Sequence, residues 1–127
     1  MGLIGGVDFV AVATSDLDRA VAFYGETLGL RNSVRLEGRP FAEFETANLT
    51  LSLIESERMG LTFATNPNHV ALHVEDVAAA RAELEARGVA FEGEIFDTGV
   101  CHMAFFSDPD GNKLMLHHRY APRVTAE

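Results

Sequence analysis

Displaced by sixty positions, the chain overlays on itself. Phe9-Val10-Ala11-Val12-Ala13 falls on His69-Val70-Ala71-Leu72-His73, Asp16-Leu17 on Asp76-Val77, and Ala20 on Ala80. The chain therefore reads as one unit written twice. Side chains alternate across a strand, so His69, Ala71 and His73 share one face of the second copy, while Val70, Leu72 and Val74 share the other.

The two copies run in the same order. Val7 to Ala13 is a β-branched apolar run that reads as a buried strand. Ser15 stands where a helix cap belongs, with Asp18 in the first turn. Leu17, Ala20, Val21, Tyr24 and Leu28 then recur at helical spacing until Gly29. Residues 30–47 hold two short strands around a Gly38-Arg39-Pro40 turn, and Leu49 to Leu53 alternates as a strand with one face in the core. A connector from Glu55 to Pro67 has no periodicity. Asn68 to Val74 opens the second copy, and Glu75-Asp76 starts a helix carrying Val77, Ala80 and Leu84 up to Arg87-Gly88. Strands over Ala90–Ile95 and Val100–Ser107 precede the turn Asp108-Pro109-Asp110-Gly111-Asn112 and a last strand, Lys113–His118. Arg119 to Glu127 reads as a poorly ordered tail.

Composition removes several function classes. A chain of 127 residues, 47% hydrophobic, fits a single domain that buries a core without metal or disulfide staples. A net charge of -9 without a basic run argues against nucleic acid as a partner, because phosphate binding rests on Lys and Arg. Cys101 is the only cysteine, which excludes an intrachain disulfide and a thiolate zinc cluster. No apolar run reaches membrane-span length and the N-terminal stretch does not suit a secretory signal, so no membrane partner and a cytoplasmic location are expected.

The repeated βαβββ order, with Ser15-Asp16-Leu17, Ala22-Phe23-Tyr24, Leu28-Gly29-Leu30 and Phe105-Phe106-Ser107-Asp108-Pro109-Asp110-Gly111-Asn112, resembles the vicinal oxygen chelate superfamily. That group holds glyoxalase I, extradiol dioxygenases, fosfomycin resistance enzymes and bleomycin resistance proteins. The resemblance spans about Val7 to His118 and implies an α+β fold. Two βαβββ modules, about 7–55 and 68–118 within one domain over 1–127, would form curved mixed sheets around a concave cavity, with helices on the convex faces. It also implies a homodimer, with cavities often shared between subunits. Fold alone does not choose among the activities of such a group.

In metal-dependent members the ligands come from the first and last strand of each unit. Carried onto this chain, those positions are Phe9, Thr50, His69 and Met115. Only His69 is an ordinary ligand: Phe9 has no donor atom, Met115 offers a soft thioether and Thr50 a weak hydroxyl. No cofactor is therefore favoured. If a divalent metal binds, His69 with His117 or Glu43 is the displaced alternative.

The favoured function is a small-molecule binding or sequestering protein of the glyoxalase/bleomycin resistance type, with room for metal-independent chemistry. Its expected pocket residues are Phe9, Thr50, Ser52, His69, His73, His102, Met115 and His117. His102 is included on the expectation that it faces inward. Cys101 is adjacent to His102 on a strand and so cannot pair with it, which leaves it as a small apolar filler. The alternative is a metal-dependent lyase or dioxygenase built around His69. The ligand's identity is left open.

Overall fold

The computed structural model describes residues 2–123. The chain divides into two compact units, with the boundary between Asn66 and Pro67. The first unit contains β1 (Phe9–Thr14), α1 (Leu17–Ala22), β2 (Arg31–Arg35), β3 (Phe41–Glu45) and β4 (Thr50–Glu55). The second contains β5 (Val70–His73), α2 (Val77–Ala86), β6 (Phe91–Asp97), β7 (Cys101–Ser107) and β8 (Lys113–Arg119). Each forms a mixed four-stranded sheet, ordered β1-β4-β3-β2 and β5-β8-β7-β6, in which the first strand runs parallel to the last and the others are antiparallel. This is the expected βαβββ arrangement. A parallel first strand needs a crossover after it, and the helix supplies it.

Register explains why the sequence repeats. Beneath α1, Val10, Leu51 and Phe44 lie side by side, and Val12, Leu53 and Ala42 form the next row. Beneath α2 the rows are Val70, Leu114, Phe106 and then Leu72, Leu116, Ala104. The large member of each first row, Phe44 or Phe106, is fully buried. The helices close these faces with Leu17, Ala20 and Tyr24 in one unit and Val77 and Leu84 in the other.

Local chemistry sets the helix starts one residue later than Ser15 suggests. The Thr14 hydroxyl donates to the Asp16 carbonyl and accepts from the Asp16 N–H, and Asp16, extended at φ -151°, accepts from Arg19 N at 3.1 Å. Asp16 is thus the cap, and Asp76 does the same for Ala79 in α2. The first helix is not a regular three turns either. After Ala22 it widens into a π-helical turn over Phe23–Thr27, where Leu28 N reaches back five residues to Phe23 O. Gly25 sits in that turn against the Phe44 ring, and a Cβ there would come within 3.3 Å of it.

β6 is an exposed edge strand whose pairing with β7 slips between Glu92 and Phe96, where Gly93 takes φ 66°. β8 extends to Arg119, and Tyr120 is tied down by a bond to Asp97, so the expected loose tail does not begin at Arg119. Residues 124–127 of that expected tail lie outside the described residues. No helix of the described residues is long and apolar enough to cross a membrane.

Candidate functional site

Each sheet has a second face that no helix of its own unit covers, and the expected pocket residues divide between these two faces. In the first unit the open rows are Phe9, Thr50 and Glu45, then Ala11, Ser52 and Glu43. Phe9 is 52% exposed, whereas Ser52 is buried. Thr50 Oγ1 donates to Glu45 Oε1 at 2.6 Å and the Ser33 hydroxyl donates to Glu45 Oε2. Those two hydroxyls hold the Glu45 carboxyl below its ordinary pKa, so this corner presents a charged carboxylate beside an aromatic ring.

In the second unit the open rows are Ala71, Met115 and Phe105, then His73, His117 and Met103. The His69 ring meets Phe105 edge-on, with centroids 4.9 Å apart. Partial burial, followed by the charge of His73, pushes the His117 imidazole below its ordinary pKa. Imidazole, thioether and phenyl groups are thus gathered on one face.

His102 does not belong to that set. It pairs with His118 across the ladder, one residue out of phase with His117, and therefore has the parity of the helix-side face. There it contacts Asp97 at 3.4 Å and lies against Tyr120 with ring centroids 4.8 Å apart. Asp97 accepts from Gly99 N at 2.8 Å and from the Tyr120 hydroxyl at 2.8 Å, bonds that hold its carboxyl below the ordinary range. A depressed carboxyl stabilises the fold above its unfolded pKa and loses that contribution as pH falls through the folded value. Tyr120→Phe should move the Asp97 carboxyl titration, followed by carboxyl-carbon NMR, back toward the ordinary value. An unchanged titration would contradict the Tyr120 bond. Cys101 is buried, and its sulfur accepts a long contact from Arg119 Nη1 at 3.7 Å.

The positions at which the resemblance implies metal ligands do not suit a divalent ion. Phe9 brings no donor, and His69 is packed on Phe105. Register also moves the last-strand equivalence. Ala11 pairs with Ser52 and Ala71 with Met115, so the first-unit counterpart of Met115 is Ser52, while Thr50 lies one row further along. Ser52 is as weak a ligand as Thr50.

The displaced pairing of His69 with His117 fails as well. His73, not His69, is the partner of His117, and His69 lies four residues earlier, ~13 Å along the strand at ~3.3 Å per residue. His69 and His117 therefore cannot share an ion. Among the described residues, the His, Cys, Asp and Glu side chains that converge as a metal-capable group are His73, Glu75 and His118. The sequence-based set contains neither Glu75, which reads as a helix start, nor His118.

A cleft of about 490 Å³ in the first unit is lined by residues including Asp16, Asp18, Arg35, Arg39, Glu55 and Arg58, and by none of the expected pocket residues. Two ion pairs lie within its lining, Arg35 with Asp18 and Arg58 with Glu55.

Comparison with known proteins agrees with this arrangement of strands. The chain is 24% identical to a glyoxalase family protein from Bacillus anthracis, with a TM-score of 0.79 over 94% of this chain and 98% of that one. It is 22% identical to lactoylglutathione lyase from Agrobacterium tumefaciens, with a TM-score of 0.74 over 91% and 95%. It is 29% identical to TnmS3, an antibiotic binding protein from Streptomyces sp. CB03234, with a TM-score of 0.79 over 94% and 99%. A sequence model of one superfamily matches residues 6–116. The chain belongs to the Glyoxalase/Bleomycin resistance protein/Dioxygenase superfamily.

Proposed function

We propose that this protein binds and sequesters a small molecule with a flat apolar body, held on the open face of the second unit's sheet. The observation that carries this reading is the make-up of the second unit's open rows. Met115, Met103 and Phe105 offer polarizable apolar contact, while His69, His73 and His117 offer polar atoms to orient a ligand. Met115 stands at a position where the resemblance implies a metal ligand, and its thioether offers apolar contact area and no charge. The antibiotic binding protein from Streptomyces, 29% identical, supports the same reading.

The reading takes the working form to be a homodimer. Phe9 and Phe96, 52% and 55% exposed, lie on the open faces of their units, where a second copy would cover them. Sedimentation showing only monomer at all concentrations would remove that part.

Thermal shift against planar polycyclic aromatics, catechols and sugar phosphates tests the binding. A ligand at a hundred times its Kd raises stability by about 2.7 kcal/mol. The planar aromatics are expected to give this protection, and Met115→Glu, which puts a charge in the middle of the row, is expected to abolish it. Protection by none of the organic compounds, or equal protection of the Met115→Glu variant, would overturn the proposal.

A further inference from the structure

We propose that the chain carries a binding site for a divalent transition-metal ion at the end of β5, built from His73, Glu75 and His118, with His73 at the edge of the ligand face and Glu75 and His118 outside its rows. One ring nitrogen of each histidine and one Glu75 carboxylate oxygen lie within 4.8 Å of one another. His73 is the last residue of β5, Glu75 lies in the turn before α2, and His118 is in β8. The site therefore depends on the parallel pairing of the first and last strands.

Two details prepare these groups for an ion. The backbone of Val74 bonds to β8 twice: its N–H donates to His117 O at 3.0 Å, and its carbonyl faces His118 Nδ1 at 3.1 Å. A carbonyl can only accept, so His118 carries its proton on Nδ1 and its lone pair on Nε2. A backbone carbonyl fixing the tautomer in this manner is the usual outer support of a metal-ligating histidine. His73 Nε2 and Glu75 Oε1 lie 3.1 Å apart, and the His73 ring centroid is 5.9 Å from that of His118. An ion would take the place of this contact.

The donor set selects the class of ion. Two imidazoles and one carboxylate suit zinc, nickel or copper, whereas magnesium and calcium prefer oxygen ligands throughout. The His73 and Glu75 side chains are 66% and 87% exposed, so the remaining coordination positions open to water. This location differs from the one the family resemblance implied, because His69 and Met115 lie further back along the same strands. The competing explanation is a surface His–Glu pair, which by itself contributes little and has no need of His118.

Isothermal titration of the full chain with Zn²⁺, purified without a polyhistidine tag, decides the matter, together with imidazole ¹⁵N NMR. One equivalent of Zn²⁺ should bind, and His73→Ala and Glu75→Gln should each weaken binding by at least about tenfold. His102→Ala, whose ring pairs with Asp97, should leave it unchanged, and Mg²⁺ should give no saturable binding. In the spectra the Nε2 resonance of His118 should move while Nδ1 stays protonated. Because His73 and Glu75 are exposed, their variants should fold. Absence of saturable Zn²⁺ binding, or Zn²⁺ binding that survives His73→Ala and is lost in His69→Ala, would overturn the proposal.

Discussion

Phe106→Ala should lower the unfolding free energy by about 3–5 kcal/mol, read from the midpoint and slope of urea denaturation. Phe106 has no exposed surface and completes the row Val70, Leu114, Phe106 beneath α2. Its ring lies 5.1 Å from that of Phe91, over which the Arg81 guanidinium sits at 5.0 Å. Truncation therefore leaves a cavity between a helix and a sheet, and the flanking leucines are held by backbone pairing and cannot collapse into it. Phe105, next in the chain, points to the open face and is only half-buried. Its truncation should cost less than about 1.5 kcal/mol and should instead weaken the organic ligand. A larger stability loss at Phe105 than at Phe106 would mean that the two faces have been assigned the wrong way round.

That contrast also marks how far the sequence could be read. The helix-side rows follow from alternation and from the sixty-residue repeat, because Val10, Leu51 and Phe44 recur as Val70, Leu114 and Phe106. A constant offset nevertheless fails beyond the first strand. The equivalence of Leu51 with Leu114 is displaced by 63 positions, not 60, since the loops between strands differ in length. This is why Thr50 reads as the counterpart of Met115 although Ser52 holds that place. Periodicity was equally blind to the π-helical turn over Phe23–Thr27, which keeps Tyr24 on the buried side in either geometry. Parity along β7 cannot be assigned to a face without its partners, so alternation alone groups His102 with histidines that lie on the other face of the sheet. The convergence of His118 and Glu75 requires the β5–β8 register and a turn geometry, neither of which short-range spacing contains.

The two faces of each sheet answer to different demands. The helix-side rows keep the same kinds of side chain in both units, because both must fill the same space under a helix. The open rows diverge: Ala11, Ser52 and Glu43 in one unit correspond to Ala71, Met115 and Phe105 in the other. A fold that needed its open faces only for stability would have no reason to make one carboxylate- and hydroxyl-rich and the other rich in imidazole, thioether and phenyl groups.

Asp108→Ala should cost about 3 kcal/mol and weaken ligand binding without removing any group from the ligand face. Asp108 is buried in the turn between β7 and β8, and its side chain organises that turn. Oδ1 accepts from Asp110 N at 3.0 Å and from Asn112 N at 2.9 Å, and Oδ2 accepts from Asn112 Nδ2 at 2.8 Å. Alanine would leave these donors without their acceptor. Asn112 is 1% exposed, so water cannot readily replace it there, and a buried donor without an acceptor costs about 1–3 kcal/mol. The backbone bonds Asp108 N to Asn112 O and Gly111 N to Asp108 O, both 3.0 Å, close the same loop with Gly111 at φ 95°. The turn also fixes the pairing that begins at Ser107 with Lys113 and continues through Phe105 with Met115 and Met103 with His117. Loosening it frees the register of the strand that carries Met115 and His117, and a slip of one residue would turn both away from the open face. Asp108→Asn retains one acceptor oxygen and should lose about half as much stability. Urea denaturation of both variants, with ligand protection measured on the same samples, checks the order. A loss below about 1 kcal/mol in Asp108→Ala would show that the backbone bonds alone hold the turn.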